Sequence, residues 1–493
     1  MPNFQRHVAF VVLAMIISVS AFADTKGTID SGLIARFEKQ TVDDPALTRI
    51  VNAATNNDIR DLSLNRELVR SFDGQFNFEL KGTKIIDQKS SGRCWMFAGA
   101  NVITPRVMTR LKLGDFGLSQ AYLAFWDKLE KSNFFLETMI RLRDRDINDR
   151  SLQMYLEDPT GDGGWWQYFE ALIGKYGVVP ASAMPETKQS SSTDRVGSLL
   201  NTLLRKATAE IRRMNQAGKS ENDLREYKEK VLADVYRLLV CAYGRPPKEF
   251  VFRYEEPRKD TTLKVADSIP ADTTKAKDSS ETKILVDHKY TPLSFYREYY
   301  GDYPADYVAL VHNPAMKDRT LYELMGSRNV FERSDLKAVN MPVATLKNYA
   351  FKMIKDSQIV WFACDVGRDN YNDSGMFAAG IWDYGATLGI DFKTTKADRI
   401  SYRDTSPNHA MVLLGVDTTE TGVPRKWKVE NSWGTTRGSG GYWTMYDSWF
   451  DDNVLLVIVE KKLLTPEDAA LFDQKPVIVE DWQPFFRALT RLQ

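Results

Sequence analysis

"DQKSSGRCWMFAG", Asp87–Gly99, sets a single cysteine between a polar, glycine-containing loop and an apolar run that opens with Trp95. Ser90, Ser91 and Gly92 favour turns and caps, while Trp95, Ala98, Val102 and Ile103 recur at helical spacing. The pattern predicts a helix whose first turn carries Cys94. Unpaired N–H groups and the positive end of the helix dipole favour a thiolate at that position, and the thiolate is the reactive form. A buried packing role is the ordinary reading of a free cysteine, and the flanks are what set Cys94 apart. Pro105 is expected to kink or end the helix about three turns on.

The chain has 493 residues, enough for two or three domains or one elaborated domain. Its 66 basic and 66 acidic residues balance, and no long basic block appears, so composition gives no support to nucleic-acid binding. At the start, Arg6 and His7 precede an apolar run from Val8, followed by Ala21-Phe22-Ala23 ahead of Asp24. This reads as a signal peptide cleaved near Ala23, giving a secreted or periplasmic protein without a stable membrane anchor; the run is short for a bilayer span. Only Cys94, Cys241 and Cys364 are present, which makes no disulfide framework. Cys241 in "LLVCAYG" and Cys364 in "VWFACDVG" lie in apolar runs and are expected in the core.

Residues 24–77 read as a polar leader with a helical piece around Asn56–Ser71. Residues 78–193 are mostly helical, and 194–342 read as a helical insertion containing a polar loop at 258–283. Strand-like runs begin after Val343: "IVWFACDVG", "HAMVLLGVD", "KWKVEN", "GYWTMYD" and "NVLLVIVE". The expectation is an α+β protein, with a sheet-rich half at 343–462 and a C-terminal arm at 463–493.

A thiolate nucleophile needs a base, and histidine is the usual one. Of four histidines, His7 leaves with the signal peptide, His288 borders the polar loop and His312 precedes Asn313-Pro314. His409 stands at the entrance of an apolar strand, where a sheet can aim its ring. Asn431 closes the next strand-like run and can orient that ring. Taken singly, His409 could be structural and Asn431 a turn residue; together with Cys94 they form a catalytic constellation.

"QKSSGRCW", "NHAMVLLGVD" and "VENSWG" with the following "GGYW" resemble papain-like cysteine peptidases of the bleomycin hydrolase and aminopeptidase C branch. "DGGWW", "CAYGRPPKEF", "VWFACDVG" and "WDYGATLGIDF" extend the resemblance from about Phe78 to Val459. It implies a papain-like fold with Cys94 as nucleophile, His409 as base and Asn431 as its orienting partner. Gln88 and the Cys94 backbone would form the oxyanion hole, with Trp433 covering the His-Asn bond. Gly163 and Gly164 would let a substrate backbone approach, although a helix-start turn explains them equally well. Neither metal nor other cofactor is implied.

Cys94 and His409 stand about 315 positions apart, against roughly 130 to 150 from cysteine to the later catalytic residues in simple papain-like enzymes. The resemblance makes the intervening insertion a source of homohexamer contacts. It implies peptide substrates and a C-terminal arm that selects free amino termini. Here Trp482 and Pro484 resemble that arm, whereas Phe485 and Phe486 replace its usual Met-Gly, and the longer tail to Gln493 is expected to be trimmed by Cys94. The favoured activity is a cysteine aminopeptidase working through an acyl-enzyme. An endopeptidase or amide hydrolase with the same triad is the alternative, and a non-catalytic binding protein that kept the fold is the third.

Overall fold

The computed structural model describes residues 27–42, 44–257, 283–301 and 303–483. The signal-peptide reading, nearly all of the 258–283 loop and the arm from Pro484 onward lie outside the described residues. The chain forms two compact units, a small one up to Ser63 that also takes in Tyr384–Asp391, and a large one holding the rest.

In chain order the helices α1 (Ser31–Thr41), α2 (Pro45–Ala54), α3 (Ile59–Leu62) and α4 (Arg66–Arg70) come first. The leader is therefore more helical than its composition suggests. The physical cause is local: Asp30, Asp44, Asp58 and Asn65 each cap one of these helices by accepting its first backbone N–H groups. Strand β1 (Phe78–Glu79) then leads to α5 (Cys94–Leu111), followed by α6 (Gln120–Arg141), α7 (Arg150–Glu157), α8 (Trp166–Tyr176), α9 (Asp194–Gln216) and α10 (Glu221–Tyr243). Helix α5 starts at Cys94 as the sequence predicts, and it continues through Pro105 to Leu111 instead of ending there.

The stretch 194–342 corrects the expectation of a helical insertion. Helix stops at Tyr243, and β2 (Phe250–Pro257) pairs antiparallel with β3 (Lys283–Tyr290) before α11 (Pro292–Tyr299). Strands β4 (Tyr307–Val311), β5 (Thr320–Leu324) and β6 (Leu336–Asn340) then join the main sheet. The sequence "YVALV" is apolar and almost wholly buried, as a strand covered on both faces must be. Sheet therefore begins well before α12 (Val343–Lys355).

Strands β7 (Val360–Cys364), β8 (Asn370–Tyr371) and β9 (Met376–Phe377) follow, then α13 (Tyr384–Leu388) and α14 (Lys396–Ser401). Next come β10 (His409–Thr418), β11 (Pro424–Glu430), β12 (Tyr442–Tyr446), α15 (Asp447–Asn453) and β13 (Val454–Glu460). After α16 (Pro466–Ala469), β14 (Val477–Val479) pairs parallel with β5, so the start of the arm is part of the sheet. The strand order is β14-β5-β6-β4-β13-β7-β10-β11-β12-β9-β8, with β1 added to β10. Among the described residues no helix is long and apolar enough to cross a membrane.

One large core joins both halves, with α5 packed on β10 and β7. Gly177 ends α8 at φ +73°, and a Cβ there would come within 2.2 Å of the Pro292 carbonyl oxygen. Backbone strain and clash add at this point. Gly177→Ala is expected to lower stability by about 2 kcal/mol or more, read as a lower urea midpoint at unchanged slope.

Candidate active site

Cys94 opens α5 and is fully buried, with Arg93 at the N-cap position making no side-chain cap. Arg93 instead forms a two-point pair with Glu186, at 2.8 and 3.1 Å, and donates to Ser91 Oγ at 3.1 Å. These contacts brace the loop before the cysteine. Helix α5 packs on β10, and the backbone N–H of Ala410, the residue after His409, favours the ionised form of the Cys94 sulfur. Helix start and strand start are thereby brought together.

His409 begins β10 and Asn431 follows directly on β11, the neighbouring antiparallel strand. His409 Nε2 lies 2.8 Å from Asn431 Oδ1. The same oxygen accepts the Ser432 backbone N–H at 2.8 Å, which fixes the orientation of the amide. An accepting oxygen requires the proton on Nε2, so Nδ1 is the basic nitrogen of the ring. The Trp433 indole lies 4.9 Å from the imidazole, centroid to centroid, and covers it.

Burial pushes the Cys94 thiol up to about 12, with the Asp162 charge adding to this and the N–H groups of Ala410, Trp95 and Cys94 opposing it. Burial likewise lowers His409 to about 4, although its bond to Asn431 works the other way. The N–H groups at the helix start favour the thiolate as the sequence predicts, but burial outweighs them and works against the charged form of both groups.

Gln88 is buried beside these groups. Its Nε2 donates to the Ser91 carbonyl at 2.6 Å and its Oε1 accepts from Ser432 Oγ at 2.6 Å. One amide proton remains uncommitted to Ser91. Gln88, Gly92, Gly163 and Trp433 line a cleft of about 760 Å³ that Asn201 and Arg205 of α9 also line. Gly163 therefore faces the cleft. Gly164 does something else: a Cβ there would meet the Trp95 ring at 2.5 Å, so its missing side chain answers to packing.

Sequence reasoning did not find the ion network that holds the loop carrying these glycines. Lys128 Nζ meets Asp162 Oδ1 at 2.6 Å, and Lys131 meets Asp127 at 2.8 Å while donating to the carbonyls of Gly161 and Gly163. Asp162 Oδ2 accepts the Gly92 N–H at 2.9 Å, and its carbonyl accepts the Trp95 indole N–H at 2.8 Å. Burial alone would raise the Asp162 carboxyl, yet Lys128, Thr193 and Gly92 hold it well below the usual range. The available signal was the i,i+4 charge pair Asp127/Lys131 inside an otherwise apolar helix face. Among the described residues no group of three His, Cys, Asp or Glu could hold a metal ion.

Residues 28–486 match the Peptidase C1-like family. The chain belongs to it. Aminopeptidase C of Lactobacillus helveticus is 33% identical over 462 residues, covering 92% of this chain and 97% of that protein. Aminopeptidase C of Listeria monocytogenes is 37% identical over 414 residues, covering 83% and 87%. The crystal structure of PepW from Lactobacillus rhamnosis superposes with a TM-score of 0.85 at 34% identity, covering 94% of this chain and 99% of that one. The protein is a papain-like cysteine peptidase of α+β fold.

The other two cysteines of this peptidase divide. Cys364, in β7 opposite His409, is buried as expected. Cys241 corrects the expectation, for it is exposed: one position per turn of an apolar helical run can still point outward. A bulky maleimide is expected to label Cys241 in the folded protein and Cys364 only after unfolding, as peptide mapping by mass will report.

Proposed function

We propose that this peptidase is an aminopeptidase that removes residues from the free amino termini of peptides through an acyl-enzyme on Cys94. The observation that carries the reading is the fixed His409 Nε2 to Asn431 Oδ1 bond beside a cysteine at a helix start; the aminopeptidase C relatives supply the substrate class.

As the sulfur attacks the scissile carbonyl, its proton passes to His409 Nδ1. The resulting oxyanion takes the Cys94 backbone N–H and the second amide proton of Gln88, each worth roughly 3 kcal/mol in comparable sites. The imidazolium then gives its proton to the leaving amine. Water, deprotonated by the same nitrogen, cleaves the thioester and restores the thiol. Asn431 keeps the tautomer that makes Nδ1 the base, and Trp433 keeps water from that bond. Gly163 supports the acyl-side backbone.

The resemblance further supports self-association as a homohexamer, which light scattering tests. The pattern up to Ala23 supports export, which amino-terminal sequencing of the mature protein tests.

The deciding experiment digests one peptide with a free amino terminus and its acetylated form, read by mass. Stepwise release from the free form alone is expected; internal cleavage of both would make the protein an endopeptidase. Cys94→Ala and His409→Ala are expected to abolish turnover, whereas Asn431→Ala, which keeps the base and loses its orientation, should retain more. Because His409 is pushed to about 4, it stays a neutral base in mild acid. The acid limb of kcat/KM is accordingly expected below pH 5, and a limb near 6.5 would place a different group in the role of base.

A further inference from the structure

Asn431 is flanked in the chain by two side chains that reach across to the segments carrying Gln88 and Cys94. Ser432 Oγ bonds Gln88, as above. On the other side, Glu430 Oε1 accepts from Asn101 Nδ2 at 2.7 Å and from Thr83 Oγ at 2.8 Å. Asn101 stands on α5, the helix that Cys94 begins. Glu430 is 1% exposed, and its Oε2 is buried without a hydrogen-bond partner. The backbone of Gly82 closes over that oxygen, since a Cβ there would lie 2.3 Å from it.

A carboxylate would leave half its charge unanswered in such a place. A carboxylic acid fits better, with its proton on Oε2 and both neighbours donating to Oε1. Burial raises the Glu430 pKa to about 7, against the opposing donors of Thr83 and the Lys428 ammonium. Lys428, on the same strand, is paired with Glu79 of β1, and Tyr442 of β12 is the other titratable neighbour. From α5 and the Gly82–Thr83 segment the facing groups are the neutral Asn101 and Thr83; from β10 it is Val412, its partner in register.

We propose that Glu430 is a positioning residue for the His409–Asn431 pair, a protonated clamp that fixes the end of β11 against the Cys94 helix. Its catalytic consequence rests on the function proposed above. Ionisation breaks the clamp's neutrality and loosens the strand end that carries Asn431, so kcat falls as pH rises through neutrality while KM holds.

The test compares wild type, Glu430→Gln and Glu430→Ala for kcat and KM from pH 5 to 9. Glu430→Gln cannot ionise; its kcat is expected within about twofold of wild type at pH 5.5, without the decline across neutrality. Glu430→Ala is expected to lose about tenfold or more in kcat with KM changed less than threefold. Two readouts do not depend on turnover. The wild-type urea midpoint should fall as pH rises from 4.5 toward 7, the interval in which the folded protein holds a proton that the unfolded chain has released, and Glu430→Gln should remove that fall. The downfield proton signal of His409 Nε2–H, assigned with His409→Ala, should persist in Glu430→Gln and broaden or vanish in Glu430→Ala. A Gln variant that keeps the wild-type pH profile and urea slope overturns the protonated clamp. An Ala variant with lower stability but an unchanged His409 signal makes Glu430 structural only and overturns the positioning role. Wild type inactive on the free-amine peptide, with the expected urea and proton results, would refute the aminopeptidase reading and leave the clamp standing.

Discussion

Registration across the seam between α5 and the β10–β11 edge is the constraint on which the site depends. Cys94 belongs to the helix, while His409 and Asn431 belong to adjacent strands, so no local structure fixes the sulfur against the imidazole. What fixes it is a set of bonds that cross the seam. Gln88 meets Ser432 through both backbone and side chain, Asp87 bridges to Trp433, and Trp361 Nε1 reaches the Trp95 carbonyl at 3.3 Å. Each is short-ranged and directional, which is why they hold orientation where apolar packing alone would tolerate sliding.

The same seam creates an electrostatic conflict. Excluding water makes every N–H aimed at the sulfur worth more, yet it also penalises both members of a thiolate–imidazolium pair. Burial is the larger effect on both Cys94 and His409. The N–H groups of Ala410, Trp95 and Cys94 oppose the cost of burial at the sulfur, while Gln88 is held in place by Ser91 and Ser432.

Much of this was legible in the sequence, for identifiable reasons. Cys94 stood out because turn formers meet an apolar helical run there, and the search for its base was short in a chain with four histidines. Strand-like apolar runs after Val343 predicted the sheet that positions His409 and Asn431. What escaped was pairing at long range. Nothing local distinguishes Glu430 from a solvated charge, and its partners Thr83 and Asn101 lie more than 300 positions away. Asp162 and Lys128 likewise declare themselves only when the loop and α6 come together. The strands β4 to β6 escaped for another reason: short apolar runs of about five residues cannot be told from buried helix by periodicity.

The buried ions beneath the cleft follow from the same logic of orientation. A loop rich in glycine, such as Gly161–Gly164, has large conformational entropy to lose and few side chains with which to hold itself. Lys131 answers by binding two of its carbonyls, and Asp162 answers by tying it to Gly92, two residues ahead of Cys94. Burying such charges costs several kcal/mol per ion before pairing offsets it, so overall stability is a poor explanation for them. Their yield is a rigid backbone at Gly163, set against the Cys94 loop on one side and α9 on the other. Helix α9, which opens the segment 194–342, is thus a wall of the cleft itself.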